Sequence, residues 1–510
     1  MITQKDIIYF ILTDRFFDGN EANNFDVDAS NPNAYHGGDF EGIIKRIPYF
    51  KKLGITALWV SPIFENTCMP EFNSWGYHGY WPLNFEKVDA HLYALQDGVP
   101  EGSLNYFKQL VDELHKNDIK VILDMVTNHL GYNHPVLSEA AASAESGGET
   151  PIKREWLNEE GDNSEQKMRL MGLPDLNHGD IEVSDYFVNV ILNIIEQTGV
   201  DAIRFDAVKN VESILWQHLK TYVKGKYPHV TFIGEVLDFD VAKTSEYQNY
   251  FDFDAVFDFP LKKALADAVI YDGCMDQVIS GSGLSNGSSG GVLNSDFKYR
   301  NHNRLVTFMD NHDMPQRFMN EAIAKYSGDK AGALKVLKLA VTCLFTLRGI
   351  PQIYYGSEIA MEGGADPDNR RDMPWNIFDR NMEPSEEHPI EREAFFHFLK
   401  LIGLRKENEA LLYGPVITLY SDCFIFVYMR IFKDNVAIVA IHNGQDGMSG
   451  PVAVDLGNNT NVTPRIKQLL EGKEMKDSIG DSPDIAVRDG RIEMKLDRKT
   501  GAVYIWGGNK

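Results

Sequence analysis

The sequence predicts an α/β chain built as a (β/α)8 TIM barrel, with an excursion domain after the third strand and a C-terminal antiparallel β-sandwich. Three observations lead there. From residue 7 to about 405, apolar strand-like runs alternate with helix-like segments, and the strand count is eight. About 130–178 breaks the rhythm with a long polar, acidic stretch ("EAAASAESGGET", "NEEGDN"). After about 410 the pattern turns to short strands separated by Gly, Asn and Asp. The expected division is 1–129 with 179–409 for the barrel, 130–178 for the excursion domain and 410–510 for the sandwich. A doubly wound open sheet is the alternative, but no glycine-rich phosphate loop follows the first strand.

The candidate barrel strands are 7–12, 56–61, 120–126, 201–206, 230–235, 253–258, 304–309 and 350–355. In "SLNYFKQLVDELHKNDI", Leu104, Phe107, Leu110, Val111 and Leu114 recur at steps of three and four behind a Ser103 N-cap, which predicts a helix. Residues 183–198, 211–224, 329–347 and 391–405 show comparable patterns. The run "SGSGLSNGSSGG" (280–291) reads as a surface loop, because barrel elements continue on both sides. "CFIFVYMRIF", "NVAIVAIHN" and "GAVYIW" are the sandwich strands.

Composition bounds the function. The 510 residues carry 50 basic and 74 acidic side chains, a net charge of −24, which opposes binding to nucleic acid or to an anionic membrane. Cys68, Cys274, Cys343 and Cys423 have no metal-ligand or redox spacing and read as free thiols, a single disulfide remaining open. The apolar "IIYFIL" near the start is too short for a signal segment or a membrane span and reads as a strand. The chain as it stands is expected to be cytoplasmic; a secreted or periplasmic chain with its leader removed would look the same.

The chemistry collects at strand ends. In "GVDAIRFDAVKN" (199–210), Arg204 and Asp206 share one face of an otherwise apolar strand, because strand side chains alternate. Alone, that pair is equally a structural ion pair. But strand three ends in "DMVTNH" (Asp124, Asn128, His129), strand five in "VTFIGE" (Glu235) and strand seven in "FMDNHD" (His312, Asp313). Carboxylates on separate strand ends, ringed by Arg and His, are what glycoside hydrolysis needs.

With these motifs in order, the chain resembles the α-amylase superfamily, glycoside hydrolase family 13, over nearly its whole length. "GITALWVSPI", "LPDLN" and "GIPQIYYGSE" add to the match. The resemblance implies a retaining hydrolase of α-1,4-glucosidic bonds in starch and maltooligosaccharides, with the cyclomaltodextrinase, maltogenic amylase and transglycosylase branch as the alternative. It implies Asp206 as nucleophile, Glu235 as general acid/base and Asp313 as transition-state stabiliser. Arg204 would keep Asp206 an anion, whereas Glu235 must start protonated. His129 and His312 would bind the sugar in the subsite before the cut, and Tyr80 of "YHGYW" would stack on it. Small Ala207, and Lys209 on the leaving-group side, match α-1,4-acting members. Asp366 and Arg370 in "GGADPDNRR" match donor-side contacts of the cyclodextrin-processing branch, an acidic turn being the other reading.

A metal is also implied. Asp18, Asn20, Asn23, Asn24, the Gly37 carbonyl and Asp39, in "DGNEANN" and "HGGD", are hard oxygen ligands suited to Ca2+ and match a calcium site of glucanotransferase-like relatives; such loops also serve simply as turns. A second family site would use Asn128, Asp175 and a carbonyl just after Lys209. There Asn210 stands where the calcium-binding branch has His.

Overall fold

The computed structural model describes residues 1–67, 69–138, 151–159, 164–279, 291–444, 451–480 and 482–507. Cys68, most of the expected 280–291 loop and the "EAAASAESGGET" run of the excursion segment lie outside them.

All eight barrel strands form where the apolar runs place them. They are β1 (Ile8–Ile11), β2 (Ala57–Val60), β3 (Lys120–Met125), β4 (Ala202–Phe205), β5 (Thr231–Gly234), β6 (Ala255–Val256), β7 (Val306–Thr307) and β8 (Ile350–Tyr354). They pair in parallel in the order β6-β5-β4-β3-β2-β1-β8-β7. The ring closes between β6 and β7 through a parallel Phe257–Val306 bridge and an Asp258 N–H that donates to Val306 O at 2.9 Å. Nearly every strand residue is buried, since each strand has side chains inside the barrel and others beneath the helical layer.

The helix over Leu104–His115 forms behind its Ser103 cap and buries the residues of the predicted stripe. Ile181–Thr198, Lys330–Thr346 and Pro389–Glu407 are likewise helical. The 211–224 segment divides into an α-helix, Ser213–His218, and a wider-turned Leu219–Lys224. Helices at Phe40–Lys45, Ile47–Leu53, Val241–Asn249, Phe259–Val269 and Phe318–Lys325 complete the outer layer.

At the C-terminus, β9 (Val416–Ser421), β10 (Ile425–Phe432), β11 (Asn435–His442) and β16 (Thr500–Trp506) form one four-stranded antiparallel sheet. A second comprises β12 (Pro451–Asp455), β13 (Glu474–Met475), β14 (Ile485–Arg488) and β15 (Arg491–Lys495). Strand alternation divides β10 between two cores. Val427 and Met429 face the second sheet, while Phe426 and Tyr428 join the barrel's cluster. Among the described residues, no helix is long and apolar enough to cross a membrane.

Candidate active site

The polar strand ends meet over the carboxyl end of the barrel. Asp124 on β3 lies directly opposite Arg204 on β4 in the parallel register, so both side chains fall on one face. The ladders continue past the strands: Asp206 N–H donates to Met125 O at 3.1 Å, and Glu235 N–H to Phe205 O at 3.0 Å. These bonds fix where the two carboxylates leave the backbone.

Arg204 is the hub, and it is 1% exposed. Its Nη1 donates to Asp206 Oδ1 at 2.7 Å and to Asp124 Oδ1 at 2.8 Å, and its Nη2 lies 2.8 Å from Glu235 Oε2. One guanidinium therefore spans three carboxyl groups, not only the Asp206 that strand alternation pairs with it. Fork geometry suits Arg to this, where a lysine would offer one point charge. Asp124 is wholly buried and is held further by Tyr80 Oη at 2.7 Å and Trp59 Nε1 at 3.0 Å.

Burial pushes the Glu235 carboxyl up to about 8, against the pull of Arg204 and with the neighbouring Asp206 and Asp313 adding to the rise. That is the direction a proton donor needs at neutral pH. Between the two carboxylates Ala207 takes a left-handed conformation, φ 45° and ψ 42°, and its N–H donates to Glu235 Oε2 at 3.2 Å. A non-glycine residue held there is strained, and such strain collects at functional turns.

Asp313 faces the cleft, its side chain 38% exposed, with His312 Nε2 at 3.0 Å and Arg370 Nη2 at 3.5 Å. Limited solvation raises its carboxyl to about 6, Arg370 opposing and Asp206 adding. Arg370 also meets Asp366 at 3.2 Å and donates through Nε to the His312 carbonyl at 3.1 Å. Asn369, which the sequence reading passed over, donates to the carbonyls of His312 and Met314, both at 2.9 Å, and so props the Asp313 segment. The Tyr80 ring stacks on His312, with centroids 4.9 Å apart at 9°. His129 Nε2 meets the Tyr80 carbonyl at 3.0 Å. Burial holds both histidines below their ordinary range, hence neutral. Lys209 stands at the rim, its ammonium 3.3 Å from Glu165 of the excursion segment.

The loop expected to hold calcium closes on itself around unpartnered oxygens. Asp18 Oδ1, Asn23 Oδ1, Asn24 Oδ1 and Asp39 Oδ2 are all buried without a hydrogen-bond partner. The remaining donors and acceptors of this set are occupied: Asn24 Nδ2 donates to Asp18 Oδ2 at 2.6 Å, and Asp39 Oδ1 accepts from Gly19 and Gly42 at 3.1 and 2.6 Å. Gly37, at φ +91°, lies so close that a Cβ there would meet Asn24 Oδ1 at 2.8 Å. Burial raises Asp39 to about 6. Asn20 differs from the rest, because its Oδ1 accepts the Ala22 N–H at 3.1 Å.

At the second candidate site an antiparallel His129–Asp175 bridge brings the segments together, and Asn128 Oδ1 and Asp175 Oδ1 are again buried and unpartnered. Burial raises Asp175 to about 7. Glu212, not anticipated from the sequence, adds a third unpartnered oxygen, Oε1, and its charge acts on Asp175. The Asn210 side chain instead donates to Glu165 O at 2.8 Å. No group of three or more His, Cys, Asp or Glu side chains able to hold a metal occurs among the described residues. The donors at both sites mix amide with carboxylate oxygens.

A parallel eight-stranded barrel with an Arg-bridged carboxylate cluster at its carboxyl end defines a class of glycoside-processing proteins. Residues 10–414 match the alpha-amylase catalytic domain, and the chain belongs to the alpha-amylase family. It is 32% identical to the cyclomaltodextrin glucanotransferase of Bacillus sp. (strain 1011) over 86% of this chain and 60% of that one. It therefore spans less than two thirds of that relative's length. It is also 32% identical to an alpha-amylase of Niallia circulans, over 86% of this chain and 80% of the relative. The crystal structure of an Anoxybacillus alpha-amylase superposes with a TM-score of 0.79 at 33% identity, covering 100% of this chain and 99% of the other.

Proposed function

We propose that this protein is a retaining hydrolase of α-1,4-glucosidic bonds in starch and maltooligosaccharides. The observation that carries the reading is Arg204 gripping Asp206 and Glu235 at 2.7 and 2.8 Å through its two terminal nitrogens. Carboxyl groups sharing one guanidinium suit the retaining separation of about 5–5.5 Å better than the inverting one of about 6.5–9.5 Å.

The chemistry follows from the two environments. Asp206 attacks the anomeric carbon while Glu235 gives its proton to the departing glycosidic oxygen, so that bond breaks as the ester to Asp206 forms. Glu235, now an anion beside Arg204, takes a proton from water. The water oxygen bonds the anomeric carbon and Asp206 leaves. Asp313 bonds sugar hydroxyls, and neutral His129 and His312, whose Nε2 atoms meet the Tyr80 carbonyl and Asp313, flank the ring. The stacked Tyr80 offers its face to the apolar side of the sugar. Lys209, beside Glu165, would serve the leaving-group side, which would favour α-1,4 over α-1,6 substrates.

Asp366 and Arg370, anchored to the Asp313 segment, favour a second reading: transfer of the glucosyl chain to an acceptor sugar, or opening of cyclodextrins, by the same covalent intermediate. Calcium is proposed for the Asp18, Asn23, Asn24, Gly37 and Asp39 cage, with Asn20 contributing at most its backbone carbonyl, and for a second site at Asn128 and Asp175. A bound ion would supply charge neutralisation and cross-linking of the loops. The four buried unpartnered oxygens of the first cage support it.

The test is product analysis from maltotriose, soluble starch, a cyclodextrin, pullulan and isomaltose, with the first-formed anomer read by proton NMR. Short maltooligosaccharides appearing as the α-anomer are expected, with little action on isomaltose. A β-anomer would exclude the double displacement, and longer or cyclic transfer products would select the second reading.

A further inference from the structure

We infer that Cys274 and Cys423 are a redox-responsive pair whose disulfide ties the barrel to the C-terminal sandwich. Cys274 lies just after the helix Phe259–Val269, and Cys423 lies in the turn joining β9 to β10. They are 149 positions apart, yet the Met275 N–H donates to the Cys423 carbonyl at 2.8 Å. The two peptide groups sharing that bond are the ones attached to the Cα atoms of Cys274 and Cys423. The bond thereby draws the two residues together, and a disulfide needs their Cα atoms about 4.4–6.8 Å apart. The two side chains also act on each other: burial, and after it the neighbouring Cys274 thiol, push the Cys423 thiol up to about 11.

The surroundings hold this contact in place. Asn443 Nδ2 donates to Gly273 O at 3.2 Å, and Lys499 Nζ reaches Val269 O at 3.1 Å and Asp272 Oδ1 at 2.7 Å. All are bonds from sandwich to barrel, and they hold the two cysteine-bearing segments against each other. Reagents can reach the pair, because Cys423 is exposed and Cys274 half-buried, whereas Cys343 is buried. The segment after Phe259–Val269 lies at the amino end of the strands, opposite the carboxylate cluster, because barrel helices run back against their strands.

The oxidant is a small-molecule disulfide such as oxidised glutathione. One thiol, as its thiolate, attacks a glutathione sulfur and releases one glutathione. The second protein thiol then attacks the mixed disulfide and releases the other. Two protein thiols lose two protons and two electrons, which leave on two molecules of reduced glutathione. The link would stay open in a reducing compartment and close in an oxidising one.

The experiment uses the full chain, reduced and then exposed to oxidised glutathione, with intact mass, non-reducing peptide mapping and thermal melting as readouts. The expected result is loss of the mass of two hydrogens, a Cys274–Cys423 linked peptide, a higher Tm than the reduced protein and unchanged starch hydrolysis. In Cys423→Ser and Cys274→Ser variants the linked peptide and the Tm difference disappear. Persistent free thiols, stable glutathione adducts on the two cysteines, or a linked peptide through Cys68 instead would overturn the inference.

Discussion

Replacing Glu235 with Gln separates what this carboxyl does for chemistry from what it costs the fold. The side chain is 8% exposed as a residue, and burial raises it from its ordinary 4.5 to about 8. A carboxyl raised on folding supports the native state while protonated. That contribution is complete below about pH 4.5 and is lost as pH rises towards about 8, because the unfolded chain ionises first. At pH 7 the unfolded carboxyl is ionised and the folded one still mostly protonated. Since pH 7 lies about 2.5 units above the ordinary 4.5, at about 1.4 kcal/mol a unit, the cost there is on the order of 3 kcal/mol. Gln keeps the shape and cannot ionise. The Glu235→Gln variant should therefore be inactive and yet more stable than wild type, by up to about 3 kcal/mol near neutrality, with no gain below pH 4.5. Denaturant titrations of both proteins from pH 4 to 9 measure this, alongside the wild-type rate, which should fall as pH rises through about 8. A stability difference that does not change with pH would refute the reasoning, as would a variant less stable at pH 7 than wild type.

Asp206→Asn should lower kcat/KM for maltotriose by at least ~10²–10⁴-fold with the Tm little changed, and a folded variant keeping more than about a tenth of the rate would exclude the nucleophile assignment. Chelator should lower the wild-type Tm and calcium restore it, since an ion that binds only the native state stabilises by mass action. Asp18→Ala should remove most of that response. A wild type that carries no metal by elemental analysis and does not respond to chelator would end the calcium proposal.

Much of this molecule was legible along the chain. Each barrel strand is a short apolar run, and burial on both sides leaves few other readings for it. In "GVDAIRFDAVKN" a two-residue period places Arg204 and Asp206 on one face whatever surrounds them, although alone that pair reads equally as a structural ion pair. Helices such as Phe40–Lys45 and Phe318–Lys325 were not anticipated; they are only two turns long, too short for a helical period to stand out. Asp124 carried the same signal as Arg204, a charge inside "VILDM", yet its sequence context assigns it no partner.

Partners are what the tertiary structure decided. Asp124 stands 80 positions from Arg204 and Ala207 28 positions from Glu235, so no local pattern encodes those contacts. Parallel register, fixed by closure of the whole barrel, sets Asp124 opposite Arg204 and lets one guanidinium serve three carboxyls. The unpartnered oxygens of the Asp18–Asp39 cage, the approach of Glu212 to Asp175 and the meeting of Cys274 with Cys423 have the same origin. Composition and periodicity determine which faces a chain must bury, since that depends on each residue and its near neighbours. Which polar atoms then meet, and which are left without a partner, depends on how distant segments close around one core.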